Sequence, residues 1–137
     1  MFDNRLPLRE KMVLEDTSQG VILEIRFEGQ DNTSRGHEMG PFIRSAIEEH
    51  RPAALVLNLL GCRAIFDNDV GSMVWAFRDP ERGINLPCSI VAKGAAARSL
   101  CKLLDLTKMK EVFDIVVVNS VGEALEHAKR AASGKTA

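Results

Sequence analysis

LVLNLLGCRAIFDNDVGSMVWAF, residues Leu55–Phe77, runs from a strand through a short crossing loop into a helix. Leu55-Val56-Leu57 and Leu59-Leu60 make an almost unbroken apolar run of strand length, which suits a strand covered on both faces. Val70, Met73, Val74 and Phe77 then recur at helical spacing. Between them stands Phe66-Asp67-Asn68-Asp69. Asn68 and the aspartates beside it are residue types that cap a helix start, because their side-chain oxygens accept orphan backbone N–H bonds. A strand end that feeds a polar helix N-terminus is where open α/β sheets present their working surface.

Working outward on the N-terminal side, Met1–Glu10 reads as a loose arm or short edge strand, and Lys11–Asp16 as a first strand. Thr17-Ser18-Gln19-Gly20 has hairpin-turn character. Val21, Leu23, Ile25 and Phe27 alternate onto one face of a second strand. Glu28–Gly36 is a loop. A helix follows from about Gly40 to His50, with Met39, Phe42, Ile43, Ala46 and Ile47 as its apolar stripe. Pro41 is tolerated only in its first turn, and Arg51-Pro52 closes it.

On the C-terminal side, the helix from Asn68 stops near Asp79-Pro80. Leu86–Ala92 is a strand, broken by Gly94. Ala95–Leu104 is a short helix with Leu100, Leu103 and Leu104 inward, and Val112–Val118 is the last strand. Ser120-Val121-Gly122-Glu123 has the capping-box pattern. The helix it opens sets Val121, Ala124, Leu125 and Ala128 on one face, with a polar tail from Ala131 to Ala137. The whole is one domain with a core of about residues 12–130. It is an α/β fold: a small mixed sheet with an N-terminal antiparallel hairpin, parallel β-α-β units, and helices mostly on one face.

Composition narrows the function. The 137 residues suffice for one packed domain, and 45% hydrophobic content permits its core. Lys and Arg total 18 against 19 Asp and Glu, which argues against binding by phosphate neutralisation. Aromatics are only 5% and Tyr is absent, so no base-stacking platform is expected. No apolar run has the length of a membrane span. The 3 cysteines (Cys62, Cys88, Cys101) are odd in number and widely spaced, as in reduced cytoplasmic thiols. His37, His50 and His127 have no ligand-spaced partners, so neither metal nor other cofactor is expected.

Several weak motifs in order carry a family resemblance. Ile65-Phe66-Asp67-Asn68-Asp69-Val70-Gly71-Ser72 is similar to the Phe/Ile-Asp-Ser-Ser-Gly-Leu-Gly turn of STAS domains, the domains of bacterial anti-sigma-factor antagonists. Ala97–Leu106, then Val112-Phe113, then Val121-Gly122-Glu123-Ala124-Leu125 resemble that family's C-terminal pattern. The resemblance covers roughly Met12–Ala128. It implies a regulatory, non-enzymatic protein of signal transduction and transcription control that binds a protein partner. The partner would be a kinase-type anti-sigma factor or another STAS protein, with a homodimer left open. The charge balance and the apolar run lengths given above add the expectation of no nucleic-acid contact and no direct membrane insertion. The alternative is a STAS-like accessory subunit of a transporter, or a scaffold of a signalling complex. In the family, the serine after the motif aspartate is phosphorylated to block binding. Here that position is Asn68, which has no hydroxyl, and the next serine is replaced by Asp69. No phosphorylation is expected at Asn68, and Ser72 is the one alternative acceptor nearby.

Asn68, Ser72, Trp75 and Asp79 share one side of their helix, away from its apolar stripe. Together with Asp67 and Asp69 they are the expected partner-binding residues, with Trp75 as aromatic anchor. Gly29–Gly36 and Lys93–Arg98 would flank them. Asp67 and Asp69 lack a nearby His or Cys, and carboxylates at a helix start already have an electrostatic reason to be there. They are read as caps and not as catalytic residues. Lys93-Gly94-Ala95-Ala96-Ala97-Arg98 lacks the phosphate-loop pattern and is an ordinary strand-to-helix turn.

Overall fold

The computed structural model describes residues 9–18, 20–29, 39–62, 86–106 and 114–134. Their elements, in order, are β1 (Arg9–Thr17), β2 (Gly20–Gly29), α1 (Met39–His50), β3 (Ala54–Cys62), β4 (Cys88–Val91), α2 (Gly94–Leu106), β5 (Ile115–Val118) and α3 (Val121–Gly134). The strands form one 5-stranded sheet in sequence order. β1 and β2 are antiparallel, and β2 through β5 run parallel. This is the expected α/β fold, with the hairpin as the antiparallel edge.

The turn of that hairpin depends on a glycine. Thr17 Oγ1 donates to the Gly20 carbonyl at 2.6 Å. Gly20 has a φ of 122°, and a Cβ there would lie 2.9 Å from the Ala53 Cβ. Both the backbone angle and the close approach of Ala53 exclude a side chain.

Paired residues of neighbouring strands share a face. Leu23, Leu55, Cys88 and Ile115 therefore form one row, and Ile25, Leu57, Ile90 and Val117 the next. Ile43 and Ala46 of α1, with Leu100 and Leu104 of α2, complete this core. The Phe27 and Phe42 rings meet edge to face, with centroids 6.2 Å apart and planes at 70°. Each fully buried Leu or Ile here contributes about 1.5–3 kcal/mol.

On the opposite face Ile22, Ala54, Val56 and Val91 pack against Ala124, Ala128 and Ala132 of α3. Two of the three described helices thus share one face, as expected. The strand at Leu55 is buried from both sides, also as expected. β2 departs from the simple alternation. Leu23, Ile25 and Phe27 are buried and Val21 is half-buried, but Ile22 and Glu24 are buried as well. α3 covers the side that alternation alone would leave to solvent.

Element ends follow local chemistry. α1 closes where Arg51 takes a left-handed φ of 46° and its N–H returns to the Ile47 carbonyl at 2.8 Å. α3 opens with Ser120 Oγ accepting from the Glu123 N–H at 3.2 Å, half of the expected capping box. It runs on to Gly134, past the expected tail boundary at Ala131, because Ala132 continues the Ala124–Ala128 stripe and is buried. β4 is shorter than Leu86–Ala92, and β5 begins at Ile115.

Candidate functional site

The expected partner-binding residues Asp67, Asn68, Asp69, Ser72, Trp75 and Asp79 lie outside the described residues. So do His37 and most of the Gly29–Gly36 flank. The described residues supply the base to which that segment is joined in sequence.

That base is the C-terminal end of β3. Arg26 pairs with Asn58, but Glu28 pairs with Gly61, so β3 carries one extra residue there. Such a bulge bends a strand and takes a backbone group out of the ladder. The Leu60 N–H donates instead to Asn58 Oδ1 at 3.0 Å. Asn58 Nδ2 donates to Glu24 Oε2 at 3.1 Å. Arg26 Nε donates to the same oxygen at 2.8 Å, and Nη2 to Oε1 at 3.4 Å. The Glu24 side chain is 5% exposed and that of Arg26 37%. A buried carboxylate needs such partners to offset its lost hydration. The chain Arg26–Glu24–Asn58–Leu60 holds the bulge, and through it the exit of the strand.

Sequence reasoning missed this network. Glu24 stood on the presumed solvent side of an alternating strand, and Asn58 was only an interruption in an apolar run. The available signal was that pair of polar residues in two otherwise apolar strands.

A second polar contact lies beneath α3. Ser89, 1% exposed, places Oγ 2.9 Å from His127 Nδ1. His127 Nε2 is 3.8 Å from Asp114 Oδ1. The trio has the residue types of a nucleophilic triad, but its hydroxyl is sealed under a helix and cannot meet a substrate. It ties α3 to the sheet. His127, read from sequence as one of three scattered histidines, is the middle of that tie.

The Lys93–Arg98 flank is described in part, and both named cations are exposed. Gly94 between them has a φ of 62°, which starts α2. A shallow hollow of about 500 Å³ runs along α2, lined by Ala97, Arg98, Cys101, Lys102, Asp105 and Leu106. Leu106 is 69% exposed. The surface combines apolar area with Arg98 and Lys102 one turn apart.

Cys88 lies in the first core, and burial, with the Asp114 charge as a lesser cause, pushes its thiol far above the ordinary range. Cys101 is half-buried; both are free thiols. The Cys62 side chain lies outside the described residues. No described helix is long and apolar enough to cross a membrane.

No family model matches the chain. No curated protein matches it either. Among solved structures it is similar to an anti-sigma factor antagonist from Mycobacterium paratuberculosis, at a TM-score of 0.59 and 17% identity, over 88% of this chain and 95% of that one. At that identity the likeness establishes the fold: a mixed α/β sheet of the kind this antagonist has.

Proposed function

We propose that the chain is a non-enzymatic regulatory domain that works by binding another protein, in the manner of an anti-sigma-factor antagonist. The observation that carries this reading is the likeness of fold to a solved antagonist over nearly the full length of both chains. Supporting it, the segment with the family-like turn follows the braced end of β3 in the chain, and the exposed cations of α2 follow the next strand in the sheet. The partner is a kinase-type anti-sigma factor or another STAS protein, and the contact runs over Asp67–Asp79 with Trp75 as anchor.

The domain is also proposed to lack the usual switch. Asn68 cannot accept a phosphoryl group, and Asp69 sets a fixed charge where the family has a neutral serine. A carboxylate carries less charge and fewer acceptor oxygens than a phosphate, so it mimics one only in part. The protein holds one binding state.

The test combines binding and modification. The chain and its Asn68→Ser variant are incubated with a kinase-type anti-sigma factor from the same organism and ATP. Binding is read by calorimetry and phosphate by mass spectrometry. The native chain is expected to bind and stay unmodified, Asn68→Ser to gain a phosphate, and Trp75→Ala to weaken binding at least tenfold. Phosphate on Ser72 of the native chain overturns the fixed state. Capture of a membrane ATPase in place of any soluble regulator favours the transporter-subunit reading.

A further inference from the structure

The two apolar rows of the first core do not stop at β2. The hairpin register places Leu14 beside Leu23 and Met12 beside Ile25. One row therefore reads Leu14, Leu23, Leu55, Cys88, Ile115, and the other Met12, Ile25, Leu57, Ile90, Val117. Both emerge at β1, the edge of the described sheet. There Met12 is 39% exposed and Leu14 48%. A nine-residue edge strand with adjacent apolar positions open to solvent is a template for pairing with another chain.

We infer that a second copy of this chain covers it, β1 against β1, giving a two-fold dimer with one continuous sheet. The sequence of β1 is self-complementary in a single antiparallel register. Pairing centred on Val13 sets Met12 opposite Leu14 of the copy, twice, so both apolar rows continue into the second sheet without a break. It also sets position 11, a lysine, opposite position 15, a glutamate, on the other face. Shifting the centre to Met12 puts Leu14 opposite Glu10; shifting it to Leu14 puts Met12 opposite Asp16. Each neighbouring register thus costs an apolar pair. A symmetric interface must match its own patch to itself, and this one does so about one residue. Glu15 already meets Lys129 of α3 at 3.1 Å, so its charge is shared within the chain. Position 10 falls opposite Asp16 at both ends of the pairing, and these like charges weaken it.

One strand pair buries less than the roughly 1,600 Å² of a standard interface. The dimer is therefore weak, with dissociation in the micromolar range. It does not depend on the regulatory reading, and its failure would leave that reading untouched.

The experiment is sedimentation velocity on the full chain from about 1 to about 200 µM, a span chosen to cross a micromolar dissociation constant. The native chain is expected to shift from monomer to dimer. Met12→Lys combined with Leu14→Lys, at exposed positions, is expected to remain monomeric throughout with an unchanged unfolding transition. Register is read separately in a Val13→Cys variant. Residues opposite in an antiparallel pair have Cα atoms within disulfide reach. Mild oxidation is expected to join position 13 to position 13, found by peptide mapping. A native chain that stays monomeric to the highest concentration overturns the inference. So does a dimer that survives the double substitution, or one in which position 13 never links to itself.

Discussion

Ser89 Oγ sits 2.9 Å from His127 Nδ1, joining the second residue of β4 to the middle of α3 across the alanine-lined core. Ser89 stands in the row Glu24–Val56–Ser89–Val116, in which Glu24 and Ser89 are the two buried polar residues. Each is satisfied by its own partner, His127 in one case and Arg26 with Asn58 in the other. The face under α3 is thus fixed by directional contacts where alanines leave little apolar area to fix it.

Ser89→Ala is expected to destabilise the fold by about 1 kcal/mol, the usual net worth of one hydrogen bond. His127, 26% exposed, can recover water at its ring, which keeps the loss small. Urea denaturation checks this; the midpoint should fall with an unchanged slope.

Glu24 and Arg26 should act as a unit. Arg26→Ala leaves the Glu24 carboxylate with Asn58 as its remaining named donor and is expected to cost about 1–2 kcal/mol, tempered because Arg26 is partly solvated. Glu24→Ala should cost at least as much. The double variant is expected to lose less than the sum, with a coupling of about 0.5–2 kcal/mol in a double-mutant cycle. Strict additivity would mean the contact contributes nothing.

Cys88 predicts a loss of stability in alkali. Its thiol stays protonated in the fold, whereas the unfolded chain releases that proton above the ordinary value of 9.0. The native state then binds more protons than the unfolded one, so stability is complete below pH 9 and falls above it. The slope from this group is about 1.4 kcal/mol per pH unit. A Cys88→Ala variant, less stable at neutral pH, should lose that part of the alkaline slope. Under native conditions Cys88 should also resist thiol reagents that label half-buried Cys101, and become reactive only on unfolding.

The two positive-φ glycines among the described residues should respond unequally. Gly94→Ala meets no atom within 4 Å and suffers only the left-handed backbone, an expected loss of about 1 kcal/mol. Gly20→Ala adds to that strain a 2.9 Å approach to Ala53 and is expected to cost about 2–3 kcal/mol. Thermal unfolding of the two variants side by side gives the order, and equal losses would contradict the close packing at the hairpin.

The order of elements was legible because periodicity is a local property. Leu55–Leu60 had to be a strand, and it is buried as far as Leu59 while Leu60 is 40% exposed; Thr17–Gly20 had to turn, and Ser120 had to start a helix. The parallel sheet followed from their succession. The candidate docking residues Asp67–Asp79 rest on residue type, helical spacing and the family resemblance, and they lie outside the described residues. What no local pattern contains is which faces come together. That α3 closes over Ile22 and Val56 was decided by packing, and with it the burial of Glu24 and the meeting of Ser89 with His127, 38 residues away. The β3 bulge held by Asn58 belongs to the same class, since it exists only relative to β2. A polar side chain reads as a surface residue until its neighbours are known, because burial depends on contacts distant in sequence, while helix and strand periods depend on neighbours along the chain.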